Sequence, residues 1–236
     1  MLEHNVKKRV AILQSNYIPW KGYFNIIKYV DEFVLLDHVQ FTRRDWRNRN
    51  LIKTKGGLKW LTIPVNAKGQ YLACIKDITT TDNMWRSNHW NQITDAYRKA
   101  PYFEQYEPIF KELYLNDDET NLSLINYKFI NAINQLLQIV TPIKWSMEFK
   151  APSEKTERLI HICRMLKGDI YLSGPAAIDY LKVDAFKEHG IQVEWVDYSN
   201  YPTYTQQTLP FEHGVSILDL LFHEGPSSIH YLKDKL

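Results

Sequence analysis

Val10 to Leu13 is a short apolar run behind the basic lead-in Lys7-Lys8-Arg9, the pattern of a buried strand. A turn follows at Asn16-Tyr17-Ile18-Pro19. Tyr23, Ile26, Ile27 and Val30 then recur at helical spacing and predict a helix from Trp20 to Tyr29. Phe33-Val34-Leu35-Leu36 reads as a second buried strand that ends at Asp37. Strand, helix and strand in such quick succession form a βαβ unit, which implies a parallel sheet with right-handed crossovers.

The pattern changes in the middle. Trp60 to Val65 and Leu72 to Ile75 predict the two strands of a hairpin around Asn66-Ala67-Lys68-Gly69. Residues 86–139 read as three helices, one from Arg86 to Lys99, one beginning near Pro101, and a long one carrying Leu124, Tyr127, Ile130, Ile133, Leu136 and Leu137. The last third returns to alternation. Ser153 is the expected N-cap of a helix over Glu154–Leu166, with Gly168 as its stop. Ile170-Tyr171-Leu172 and Val193-Glu194-Trp195-Val196 are expected strands, with a helix from Ala176 to Glu188 between them that closes at Gly190. Ser216–Phe222 is a closing helix. The expectation is therefore an α/β fold: a mainly parallel sheet flanked by helices, with a β-hairpin and a helical insert in the middle of the chain. One domain would span residues 1–236, with 86–139 inserted into it.

Composition narrows the function classes. The 236 residues carry 29 Lys+Arg against 27 Asp+Glu, a net of +2, without the basic excess of a general nucleic-acid binder. Seven Trp and 15 Tyr, within a 14% aromatic content, suit clefts that bind rings or sugars. No uncharged apolar run approaches the roughly 18 residues of a membrane span. Met1-Leu2-Glu3-His4 passes into the basic lead-in without an apolar leader, so a cytoplasmic protein is expected. Cys74 and Cys163 offer no disulfide framework. The eight histidines are scattered, with no HExxH or paired Cys/His spacing, so neither a metal site nor a cofactor is expected.

Three strand-end loops hold the candidate chemistry. The densest, Asp37 to Asn50, interleaves four Arg with Phe41 and Trp46 and adds the uncharged Gln40, Asn48 and Asn50. Ligands of open α/β sheets bind beyond the carboxyl ends of the strands, where Asp37 falls. Guanidinium forks suit phosphates, and aromatic rings suit base or sugar faces. The same segment could instead be a solvated connector. Gln14 to Tyr23 is the second loop and feeds a helix N-terminus, a natural anion site. Nucleotidylyltransferases place a strand, a proline loop and a glycine step similarly, but their His pair is missing here. Leu172-Ser173-Gly174-Pro175 is the third. His89, flanked by Trp85, Asn88 and Trp90, is the best-placed candidate base. Cys163 falls beside Leu159 and Ile160 on an apolar helix face and reads as an inert thiol. No G-x-S-x-G elbow and no P-loop occurs.

These motifs together resemble the WbqC-like family of bacterial O-antigen and surface-polysaccharide gene clusters, over nearly the whole chain. The likeness runs from Gln14–Phe24 through Asp37, Gln40-Phe41, Trp46 and Asn48-Arg49-Asn50 to Trp60–Val65. It continues with His89, Tyr102-Phe103, Tyr171–Gly174, Tyr204-Thr205-Gln206 and Ser216–Phe222. Ser15 departs from it, since the family more usually has Pro after the Gln. The resemblance implies a transferase of lipopolysaccharide biosynthesis: N-acyl or aminoacyl transfer onto a nucleotide-linked amino sugar, from an acyl carrier protein or CoA thioester. On that reading His89 is the base and Asp37 its orienter or alternative. Gln14, Tyr17, Trp20, Gln40, Trp46, Asn48, Arg49, Asn50, Ser173, Gly174, Tyr204 and Gln206 would bind substrate. Two rivals stand beside it, a nucleotidyltransferase-like enzyme and a non-catalytic sugar-nucleotide or glycan-binding module.

Overall fold

A computed structural model describes residues 7–234, so the opening Met1-Leu2-Glu3-His4 lies outside the described residues. Its centre is a sheet of five parallel strands in the order β5-β2-β1-β6-β7. These are β1 (Arg9–Leu13), β2 (Glu32–Leu35), β5 (Ile143–Trp145), β6 (Ile170–Ser173) and β7 (Gln192–Trp195). β1 is central, with Ala11 in register with Phe33 of β2 on one side and Leu172 of β6 on the other. Side chains alternate between faces. Ala11 and Phe33 pack with helix α1 (Lys21–Tyr29), while Val10, Ile12 and Val34 pack with Ile160 and Cys163 of helix α5 (Lys155–Met165). Apolar layers on both faces are what a parallel sheet requires, because its crossovers place helices there.

Most of the expected strands and helices recur with shifted ends; three local expectations are corrected and one strand is added. The hairpin is β3 (Arg49–Thr54) with β4 (Gly57–Thr62), not Trp60–Val65 with Leu72–Ile75. Thr54 pairs with Gly57 across the two-residue turn Lys55-Gly56, and Gly57 takes φ +106°. Pro64 has no N–H for a ladder, and Leu72 is almost fully exposed; Cys74 makes one isolated bridge to Gln40. Lysines at 53, 55 and 59 obscured the alternation of the true pair. The second correction is at α5, where Glu154, not Ser153, accepts from the Glu157 N–H at 2.7 Å. Third, the stretch 176–188 is not one helix: a 3-10 turn at Pro175–Ala177 precedes the short α6 (Val183–Glu188). Ile178 and Tyr180 face solvent and Leu181 alone of residues 178–182 is buried, too little apolar burial to hold a helix there. Finally, the edge strand β5 had no apolar signal, having only three residues with Lys144 in the middle.

The insert consists of α2 (Met84–Tyr97), α3 (Phe103–Leu115) and α4 (Leu122–Leu136). Asn121 caps α4 by accepting from the Leu124 N–H. Phe103, Phe110 and Phe129 join the insert to the same core as α1 and α7 (Ile217–Glu224). Between β7 and α7 the chain runs as a long strap without helix or strand.

Candidate functional site

The chain leaves β1 for β2 and β5 on one side and returns to β6 and β7 on the other. The gap between the carboxyl ends of β1 and β6 is thus the topological switch point, where doubly wound sheets open a crevice. Beyond β1, Ile18 takes φ +36°, a strained conformation for a β-branched residue and one that turns the loop sharply before Pro19. The hairpin holds this turn. Asn50 of β3 donates from Nδ2 to the Tyr17 and Ile18 carbonyls, both at 3.0 Å, while its Oδ1 accepts from the Leu51 N–H.

The crevice is a cavity of about 320 Å³ lined by Asn16, Pro19, Trp20, Trp46, Asn50 and Gly214. Trp20 folds back over Gly22, where any Cβ would collide with its indole, and meets Tyr198 edge-on at 5.1 Å. Tyr198 in turn closes on Gly174, whose missing Cβ would lie 3.3 Å from the phenol oxygen. Ser173 is buried beside it and accepts from the Val196 N–H through its carbonyl. Gln14 is half-buried at the end of β1, its carbonyl accepting from Tyr23. Four of the expected ligand contacts (Trp20, Trp46, Asn50 and Gly174) therefore meet at or beside one crevice.

Asp37 lies behind it, fully buried. Its Oδ1 accepts from the Ser15 N–H at 2.8 Å and its Oδ2 from the Ser123 hydroxyl. A proline at 15 could not make the first bond. Burial raises the Asp37 pKa, while the Ser123 and Ser15 hydrogen bonds and the nearby Arg47 pull it back. Arg47 is itself buried, donating to Asn16 Oδ1 and lying 3.6 Å from Asp45, with its Nε unpaired. Asn48 donates to the Ile63 carbonyl at 2.8 Å, which ties the loop to the chain beyond β4.

His89 stands elsewhere, on α2, at a second cavity of about 510 Å³ shared with Thr62, Asp82, Trp85 and Asn88. Its Nδ1 is 2.9 Å from the Tyr17 hydroxyl, which lies 2.5 Å from that of Tyr114. Burial pushes the imidazole down to about 4 against the pull of the Thr62 backbone, so it is neutral at physiological pH. Tyr17 is enclosed by Trp85 and Phe129 and offers no face for stacking. Its part is a link: its carbonyl meets Asn50 at the smaller cavity, its hydroxyl meets His89 at the larger. Gln40 turns away from both and donates to the Tyr71 carbonyl. Cys163 is buried, its thiol pushed up to about 12.

Tyr204 and Gln206 belong to a buried network centred on Asp219 of α7, which accepts from Tyr204 at 2.7 Å, Gln206 at 2.9 Å and Tyr97 at 3.1 Å. Two buried lysines complete it. Lys53 donates to Gln206 Oε1 at 2.7 Å and to the Thr208 and Pro210 carbonyls. Lys21 donates to the Pro202 carbonyl among the rings of Tyr201, Tyr204 and Phe211. Burial lowers Lys21 to about 8, with Asp219 pulling the other way. This network pins the strap that brings Gly214 to the crevice. Lys21, Arg47, Lys53 and Asp219 were missed from the sequence. A lysine or aspartate inside an otherwise apolar stretch is the signal that could have found the first and last.

Fold and crevice together define a doubly wound α/β protein with an aromatic-walled crevice at its switch point. The chain belongs to the WbqC-like protein family, which it matches over residues 14–231. It is also 43% identical, over 96% of this chain and 98% of the other, to a Mycobacterium tuberculosis (strain ATCC 25618 / H37Rv) protein named "Uncharacterized protein Rv1507c". No solved structure matches the chain. Among the described residues no helix is long and apolar enough to cross a membrane.

Proposed function

We propose that the protein is a transferase that binds a nucleotide-linked amino sugar in the switch-point crevice and acylates its amine from a carrier-protein or CoA thioester. The observation that carries this reading is the crevice itself, whose two tryptophans and two asparagines offer stacking faces and uncharged hydrogen-bonding groups at the position where such sheets take nucleotides. In the reaction the sugar nitrogen attacks the thioester carbonyl, the C–S bond breaks, the thiol leaves, and the nitrogen gives up a proton. His89 is the proposed acceptor of that proton, with Asp37 as the alternative; for His89 to act, the sugar amine must reach past Tyr17 toward the larger cavity, which takes the thioester arm. A base held near 4 is weak, so His89→Ala is expected to cut turnover by roughly 10²-fold, the low end for general bases.

The test is release of free thiol from acyl-CoA or acyl-carrier thioesters in the presence of UDP-linked amino sugars, with the acylated sugar identified by mass spectrometry. Release that depends on the amino sugar supports the reading. Pyrophosphate release from a nucleoside triphosphate would replace it with nucleotidyl transfer. Tight sugar-nucleotide binding without turnover on any donor would make the protein a binding module.

A further inference from the structure

Charge is sorted along this chain in a way its near-neutral total hides. Residues 43–68 hold eight of the 29 basic residues and only one of the 27 acidic ones, Asp45. Among the described residues the one ion pair made by this segment is Arg47 with Asp45. Arg43, Arg44, Arg49, Lys55, Lys59 and Lys68 therefore present unneutralised cations on and around the β3–β4 hairpin. Beside them stands an aromatic platform. Trp46 and Trp60 are each 42% exposed and lie 5.4 Å apart, and the Arg49 guanidinium sits 4.1 Å from the centre of the Trp60 ring. Arg49 also keeps an unpaired Nε.

The crevice is the opposite. All six residues that line it are uncharged, so nothing in its wall neutralises a diphosphate. Trp46 belongs to both, lining the crevice and stacking toward Trp60, so the two surfaces are continuous. A ligand with a neutral end and a doubly anionic end has only one favourable way to lie across them. We infer that the nucleotide binds outermost, with its base on the Trp46–Trp60 platform and its diphosphate on Arg49 and neighbouring cations, and that the sugar alone enters the crevice. This rests on the proposed sugar-nucleotide substrate and adds its orientation. Aromatic platforms hold bases by stacking, and guanidinium forks hold phosphate oxygens through charge-assisted hydrogen bonds.

The experiment is calorimetric binding of UDP, GDP and dTDP to the full chain, then of the matching sugar nucleotide, at two salt concentrations. The wild type is expected to bind at least one diphosphate more weakly at the higher salt. Trp60→Leu and Arg49→Gln should each weaken that diphosphate at least fivefold, with unfolding by circular dichroism confirming that each variant keeps the fold. Asn16→Ala should weaken the sugar nucleotide more than the free diphosphate. If either hairpin variant loses less than fivefold while the wild type binds, the orientation is wrong and the substrate class stands. If the folded wild type binds none of the three diphosphates, both the orientation and the substrate class fall.

Discussion

Asp37 and Asp219 are both fully buried carboxylates, and they are held by different chemistry. Asp37 lies just beyond a strand and is satisfied by a backbone N–H and a serine hydroxyl, with one guanidinium nearby. Asp219 lies within a helix and is satisfied by two phenols and an amide, in a network that also holds two buried lysines. The first ties the loop after β1 and the first turn of α4 to the segment that follows β2. The second fastens the strap, through Tyr204 and Gln206, to α7 and to Tyr97 of α2. A buried carboxylate thus splices loop and helix ends beside the sheet in one region and latches the strap in the other.

The contrast breaks most visibly at Asp219. Asp219→Ala leaves the Tyr97, Tyr204 and Gln206 donors without their acceptor and Lys21 without its nearby negative charge, so it should cost about 3–5 kcal/mol in urea unfolding. A loss under about 1 kcal/mol would show that the latch is decorative. Acid should act next, at the larger cavity. His89 titrates at about 4 when folded and near 6.5 when unfolded, so between those values the unfolded chain binds more protons. Stability should therefore fall by about 3 kcal/mol as pH drops from 6.5 to 4, and His89→Gln should flatten that slope. The raised Asp37 carboxyl works in the opposite sense, gaining its proton more readily in the folded chain. Asp37→Asn keeps an acceptor for the Ser15 N–H and should cost only about 1–2 kcal/mol. Parity with Asp219→Ala would erase the distinction. The smallest change expected is Cys163→Ser, about 1 kcal/mol from burying a stronger polar group, with any transferase activity retained. An acyl adduct trapped on Cys163 would overturn its structural role.

The same contrast explains what could be read in advance. Asp37 was legible because it closes an apolar run, and strand ends are where α/β sheets place ligands. Trp20, Trp46 and Asn50 followed from loop position and residue type. Asp219 was hidden because Ile217 to Phe222 reads as one apolar helix. Arg47 and Arg49 look alike on paper; only the fold buries one against Asn16 and stacks the other on Trp60. The helices of the insert were plain from their periodicity. The hairpin was misplaced because its first strand, Arg49–Thr54, is mostly polar and draws its burial from the loop beneath and the strap above.

Asn50 has a further meaning for the history and engineering of the molecule. Its amide holds the bent backbone at Tyr17 and Ile18, more than thirty positions earlier, in a shape that loop would not keep alone. The first βα loop and the hairpin are therefore one inherited part, although the chain writes them separately. A chimera that exchanges the hairpin but keeps the loop would release the bend, and recombination between related sequences should respect that pairing.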